Sequence, residues 1–109
     1  MIVSEKNVSD ALIYLADDPH PFALAKKLVA DAENKCKRVY AEHFLAAEGS
    51  VDARRATAEV SDRYQFAKAE ESEAVLELER HRARSRAAEM LIEMWRSEQA
   101  NVRAAERVR

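Results

Sequence analysis

Residues 51–109 contain neither proline nor glycine, and the whole sequence holds only one glycine and two prolines. Sheets need tight turns, and glycine and proline supply most of them. A β-sandwich, a barrel and a doubly wound sheet are therefore excluded. The single cysteine also excludes an internal disulfide framework and a thiolate zinc cluster. The sequence predicts an all-α protein whose 109 residues form one helical domain over 1–109.

Breaks in the helical pattern divide the chain into three predicted helices. A short N-terminal helix over about 8–17 ends at Asp17-Asp18-Pro19-His20-Pro21, because each proline moves the residue before it out of the helical conformation. A second helix runs over about 21–47. Residues 48–50 form a turn around Gly49, and an extended third helix covers about 51–105. Because this turn is short, the two long helices are expected to form an antiparallel hairpin.

Both long helices carry a stripe of residues at alternating spacings of three and four, the heptad pattern of a coiled coil. In the second helix the stripe comprises Phe22, Ala25, Val29, Ala32, Cys36, Val39 and His43. In the third helix it comprises Ala53, Thr57, Val60, Tyr64, Ala67, Glu71, Ala74, Leu78, His81, Ser85, Ala88, Ile92, Trp95, Gln99 and Val102. The hairpin is therefore expected to be coiled-coil-like.

The third helix is about twice as long as its partner, so its C-terminal half needs another cover. Residues 87–95 carry apolar side chains around most of the helix, and leaving the five large ones in water would cost several kcal/mol. These are Met90, Leu91, Ile92, Met94 and Trp95. The short first helix can cover one side, and a second chain can cover the other. We expect a homodimer or a higher oligomer; the alternative is a monomeric three-helix bundle that bends near Arg80–Arg86. The predicted protein interface comprises Leu91, Ile92, Met94 and Trp95, with Arg96 at its rim.

The whole chain has a net charge of −2, and the charged residues are distributed unevenly along the third helix. An acidic stretch from Glu70 to Glu79 precedes an arginine-rich end. One interpretation is self-association in which acidic and basic stretches face each other. The other is contact with DNA phosphates by Arg80, Arg82, Arg84 and Arg86. Nearby glutamates neutralise part of this charge, and no aromatic residue interleaves with the run for base stacking.

The sequence contains no motif for catalysis, cofactor binding or metal binding. Cys36 and His43 share a helix face but lie two turns apart, which is too far for a nucleophilic pair. Glu70, Glu73 and Glu77 lie on a helix surface, which lacks the pocket that acid–base catalysis needs. One glycine cannot build a phosphate-binding loop. We therefore expect no enzyme activity and no catalytic, cofactor or metal site.

No stretch approaches the ~20 consecutive apolar residues of a membrane-spanning helix. The first residues, Met1-Ile2-Val3-Ser4-Glu5-Lys6, lack the regions of a signal peptide. We expect a cytoplasmic protein without membrane contact.

Two segments resemble small all-helical proteins of tailed phages and prophages. One is Phe44-Leu45-Ala46-Ala47-Glu48-Gly49-Ser50-Val51-Asp52-Ala53-Arg54 with Ala56-Thr57-Ala58, and the other is Met90-Leu91-Ile92-Glu93-Met94-Trp95-Arg96-Ser97-Glu98-Gln99-Ala100-Asn101-Val102-Arg103. The resemblance spans about residues 10–103. Genes of these proteins lie near recombination and single-strand DNA genes. The resemblance therefore implies a phage origin and work alongside DNA metabolism in the cytoplasm of a host cell.

Three functions are consistent with these patterns. The first is a non-enzymatic phage accessory protein that binds another protein, such as a DNA recombination or replication factor. The second is direct DNA binding by the arginine-rich C-terminal half. The third is inhibition of a host defence complex, in which the acidic stretch from Glu70 to Glu79 imitates the charge of a nucleic acid.

Overall fold

A computed structural model describes residues 3–108, which form four α-helices and no β-strand. The helices are α1 (Glu5–Ala16), α2 (Pro21–Ala46), α3 (Val51–Val60) and α4 (Asp62–Arg107). The prediction of an all-α protein is confirmed. No helix among the described residues combines the length and the apolar character needed to cross a membrane.

Helix α1 begins earlier than the helix expected over about 8–17, and Ser4 is the reason. The Ser4 backbone is extended, and its side-chain oxygen accepts a hydrogen bond from the Asn7 N–H at 3.1 Å. A serine in this position satisfies one of the backbone N–H groups that the first turn leaves without a partner. Glu5 adds negative charge at the positive end of the helix dipole.

Residues 47–50 connect α2 to α3, and they include Gly49 and Ser50. Gly49 has a φ of +108°, a conformation that residues with a Cβ rarely adopt. The Ser50 hydroxyl oxygen then accepts a hydrogen bond from the Ala53 N–H at 3.2 Å and starts α3. The chain therefore changes direction at these two residues.

The continuous helix expected over about 51–105 is instead two helices, α3 and α4, separated at Ser61. The Ser61 backbone is extended. Its hydroxyl donates a hydrogen bond to the Ala58 carbonyl at 2.8 Å and accepts one from the Tyr64 N–H at 3.3 Å. Serine can bond the backbone in place of the helical pattern, so the helix is interrupted without glycine or proline.

The break at Ser61 also limits the predicted heptad stripe. Every stripe residue on α2 is buried or half-buried. On α4 the stripe is buried or half-buried from Tyr64 to Gln99. Val60, which precedes the break, is 75% exposed. The pattern fails there because the interruption changes the helical phase.

Contacts divide the described chain into two compact units. The first unit comprises residues 3–23 and 80–108, and the second comprises Leu24–Glu79. Helices α2 and α4 contribute to both, whereas α1 belongs to the first and α3 to the second. The single domain expected over 1–109 stays a prediction, because two sets of contacts can belong to one domain.

In the second unit, α2 and α4 are antiparallel. Lys35 Nζ lies 2.8 Å from a carboxylate oxygen of Glu70, and Glu42, further along α2, binds Arg63, which lies earlier on α4. The second contact lies closer to the C-terminus of α2 and closer to the N-terminus of α4 than the first. The two helices therefore run in opposite directions. Helix α4 continues without interruption through Arg80–Arg86 into the first unit.

Candidate protein-interaction surface

In the first unit, α1 packs on α4 through a small core. Ala11 and Tyr14 of α1 are buried together with Ala88 of α4. Two residues of the predicted interface, Leu91 and Ile92, are half-buried and pack against this core. The chain itself therefore covers them in part, on the side of α4 that α1 occupies.

Tyr14 is the centre of a polar and aromatic cluster that joins α1 to α4. Its hydroxyl lies 3.0 Å from Nδ1 of His81 and donates to the His81 carbonyl at 3.3 Å. The His81 ring stacks on the Tyr14 ring, and the His20 ring meets its edge at a centroid distance of 5.0 Å. Because a buried hydroxyl needs a partner, these bonds determine where α1 lies along α4. No spacing in the sequence signals the cluster, since its members lie on three separate segments.

Two of the arginines predicted to contact nucleic acid lie against aromatic rings. Helix α4 carries all four of these residues, Arg80, Arg82, Arg84 and Arg86. The Arg84 guanidinium is 4.2 Å from the centre of the Tyr14 ring, and the Arg82 guanidinium is 5.8 Å from that of Phe22. Such cation–π contacts stabilise the packing of the unit. Arg80 and Arg86 are exposed, so the four arginines do not share one environment.

The other residues of the predicted protein interface face different directions. Trp95 is half-buried, and its Nε1 is buried without a hydrogen-bond partner among the described residues. Met94 is 45% exposed. Arg96 forms a surface ion pair with Glu93 at 3.0 Å. Trp95 therefore faces the inside of the unit, whereas Met94 and Arg96 face the solvent.

One side of α4 in the first unit is exposed over about four helical turns. Five exposed residues follow it at spacings of four, three, four and three, namely Ala83, Ala87, Met90, Met94 and Ser97. These residues are named the outer face. Its centre is apolar, since Met90 is 65% exposed and Met94 is beside it. The five residues have heptad spacing, with which one helix can pack against another.

Of the outer face, only Met94 was predicted from the sequence as an interface residue. The predicted stripe follows the buried side of α4, and alanine does not stand out in a helix that is rich in alanine. The signal that could have revealed it is the pair Met90 and Met94, which the stripe does not contain. Methionine is flexible and adapts to apolar surfaces, which makes it frequent at binding faces.

The second unit contains a polar groove of about 800 Å³ at Cys36. Burial raises the pKa of the Cys36 thiol, and so does a hydrogen bond with the Glu71 carboxylate. The same hydrogen bond lowers the pKa of Glu71. A thiol with a raised pKa stays protonated and reacts slowly, because the thiolate is the nucleophile. The groove therefore lacks an activated cysteine.

The acidic stretch of α4 is partly paired with lysines of the second unit. Glu70 binds Lys35 at 2.8 Å, and Glu71 binds Lys68 at 3.2 Å. Each lysine neutralises part of the charge that the stretch presents. Across the described residues, no group of three or more histidines, cysteines, aspartates or glutamates is placed to hold a metal ion.

Comparisons with known proteins return no match: neither a family model, nor a curated protein, nor a solved structure matches the chain. The surfaces described above are therefore the basis for assigning a function.

Proposed function

We propose that the chain is a non-catalytic protein that acts by binding another protein through the outer face of α4. The observation that supports this best is the exposure of Met90 and Met94, beside Leu91 and Ile92, which α1 covers in part. Adjacent exposed apolar side chains mark interaction sites. Because a heptad seam accepts another helix, the partner is a protein that presents an amphipathic helix.

The resemblance to phage proteins supports a narrower class of partner. Residues 90–103 carry part of this resemblance, and they include both methionines of the outer face. We propose a partner among the DNA recombination and replication proteins of the same phage. Binding would then take place in the cytoplasm of the host cell.

Site-specific photo-cross-linking tests this function. The photoreactive residue p-benzoylphenylalanine replaces Met94 in the full chain, which is irradiated with purified recombination and replication proteins from the same genome. Lys27 on α2 is the matched control position, because it is also exposed and lies outside the first unit. We expect a cross-linked product between position 94 and one of these other proteins, and none from position 27.

Mass spectrometry of the product identifies the partner and the cross-linked peptide. Binding of the identified protein should weaken at least tenfold when Met90 and Met94 are both changed to Glu, since a charge in an apolar contact must be desolvated. Equal cross-linking from both positions, or none from position 94, would contradict the proposal.

Direct DNA binding has less support, because Arg82 and Arg84 lie against aromatic rings of their own unit. Changing the four arginines of the run to Ala tests it. If DNA affinity falls steeply with salt in the unaltered chain and is lost in this variant, the arginine run binds phosphates. We expect weak DNA binding that these changes hardly alter.

Inhibition of a host defence complex through the acidic stretch also has less support. Glu70 and Glu71 already pair with lysines, which reduces the resemblance of the stretch to a nucleic acid. If a host protein binds the chain and Glu73→Gln with Glu77→Gln abolishes that binding, the acidic stretch carries the function.

A further inference from the structure

We infer that, in the absence of the partner protein, the outer face of α4 pairs with the outer face of a second copy, antiparallel about a two-fold axis at Met90. This inference rests on the proposed function, because the second copy uses the face that binds the partner protein and is displaced by it. A two-fold axis needs a surface that complements itself, so that each copy supplies both halves of every contact. The outer face meets this requirement in its side-chain sizes and in its charges.

Antiparallel pairing about Met90 matches residues at equal distances before and after it. Ala83 then faces Ser97 of the partner subunit, and the two Met90 side chains meet at the axis. Alanine and serine at the ends of the face allow the two backbones to approach closely. The methionines fill the wider space at the centre, because their side chains are long and flexible.

The charges beside the face favour the same arrangement. Arg86 and Glu93 lie along one edge of the outer face, about one turn before and one turn after Met90. In the antiparallel pair, Arg86 lies on the same edge as the partner's Glu93 and within about 1.5 Å of it along the helix axis. The two-fold axis creates this ion pair twice.

These two residues cannot pair within one chain, because two turns of helix separate them by about 10 Å. Parallel pairing in register would place each Arg86 level with the partner's Arg86, and the two ion pairs would be lost. Both side chains are accessible: Arg86 is exposed, and the Glu93 side chain is 69% exposed. Glu93 already accepts a hydrogen bond from Arg96, and a carboxylate has capacity for further donors.

The paired surface is short, so the assembly is expected to depend on concentration. About four turns of each α4 meet, which is less than the area of a standard stable interface. Sedimentation velocity from about 1 to about 300 µM should show a monomer that converts to a dimer. A mass that stays monomeric over this range overturns the inference.

Substitution of the methionines tests which face pairs. Met90→Glu with Met94→Glu places four carboxylates at the contact and should weaken dimerisation at least tenfold. Leu45→Glu is the matched control, because Leu45 is 76% exposed on α2 and lies in the second unit. Circular dichroism should show unchanged helix content in both variants. A dimer that survives the methionine changes overturns the inference, as does one that Leu45→Glu disrupts equally.

Charge reversal tests the ion pair between copies. Arg86→Glu and Glu93→Arg should each weaken dimerisation, because each places like charges together. The double variant should restore it, since the two opposite charges are exchanged. Loss of the ion pair between Glu93 and Arg96 would not be repaired by a change at Arg86, so recovery reports the contact between copies. A double variant no stronger than either single variant overturns this contact.

Spin labels at Ser97→Cys, in a Cys36→Ala background, test the orientation. Antiparallel pairing about Met90 separates the two labels by more than about 20 Å, whereas parallel pairing leaves them about 10 Å apart. The short distance overturns the antiparallel arrangement.

The two proposals fail differently. If the chain is monomeric and position 94 still cross-links to a different protein, the inference is wrong and the proposed function stands. If the chain neither assembles nor cross-links from position 94, both are wrong.

Discussion

The Tyr14 hydroxyl lies 3.0 Å from Nδ1 of His81, which is 67 positions later in the chain. This contact joins the short helix α1 to the long helix α4 and connects two otherwise distant parts of the sequence. Arg84, one turn beyond His81, places its guanidinium over the same tyrosine ring. Helix α1 therefore packs against α4 at this contact, and the residues of the outer face stay exposed.

Tyr14→Phe should lower the free energy of unfolding by about 1 kcal/mol, because it removes a partly buried hydrogen bond and keeps the ring. Urea denaturation followed by circular dichroism measures this change. Tyr40→Phe is the matched control, since the Tyr40 hydroxyl makes no hydrogen bond within the described residues and its ring contacts are kept. Equal losses in the two variants would show that the His81 contact adds no stability.

The fold was predictable to the extent that it depends on helix-breaking residues and heptad spacing. Gly49 and the two prolines mark places where one helix gives way to the next, and such residues can be identified from a single sequence. Ser61 was not predictable in this way. Serine is tolerated inside helices, so the break becomes evident only from its hydrogen bonds with Ala58 and Tyr64.

Ser61→Ala should lower the free energy of unfolding by about 1 kcal/mol, because it removes the hydroxyl that bonds the end of α3 and the start of α4. Thermal and urea denaturation both measure the effect. Ser72→Ala is the control, since Ser72 is exposed in the interior of α4 and its replacement should leave stability nearly unchanged. A more stable Ser61→Ala variant would contradict a capping role.

The candidate site was only partly predictable, because the heptad pattern identifies the buried side of α4 and not its exposed side. The heptad pattern identified the side of α4 that contains Ala88 and Ile92, and this side is buried or half-buried. The pattern does not state which apolar residues outside it remain exposed, since that depends on where α1 lies. The contact of Tyr14 with His81 determines this position, and it pairs residues too distant for any periodicity to connect.

Stability should fall at alkaline pH because of Cys36. Burial raises the pKa of its thiol in the folded state above the ordinary value of 9.0. The folded state therefore favours the protonated thiol. This stabilisation is complete below the ordinary pKa and is lost as the pH rises through the higher folded value.

Urea denaturation between about pH 8 and pH 11 measures this dependence. The free energy of unfolding of the unaltered chain should decrease more steeply than that of Cys36→Ser, which cannot titrate there. The difference between the two curves isolates the thiol from the tyrosines and lysines that titrate in the same range. Parallel curves would mean that burial of Cys36 has no energetic consequence.

The ion pair between Lys35 and Glu70 should contribute little to stability, although its distance is only 2.8 Å. Both side chains remain partly in water, so screening and the loss of side-chain freedom offset most of the Coulomb attraction. A double-mutant cycle with Lys35→Met and Glu70→Gln should give a coupling energy of at most about 1 kcal/mol, smaller at high salt. A cycle on Lys27 and Asp31, a more exposed pair on α2, provides the comparison and should couple less. A large coupling that salt leaves unchanged would show that this contact contributes substantially to holding α2 against α4.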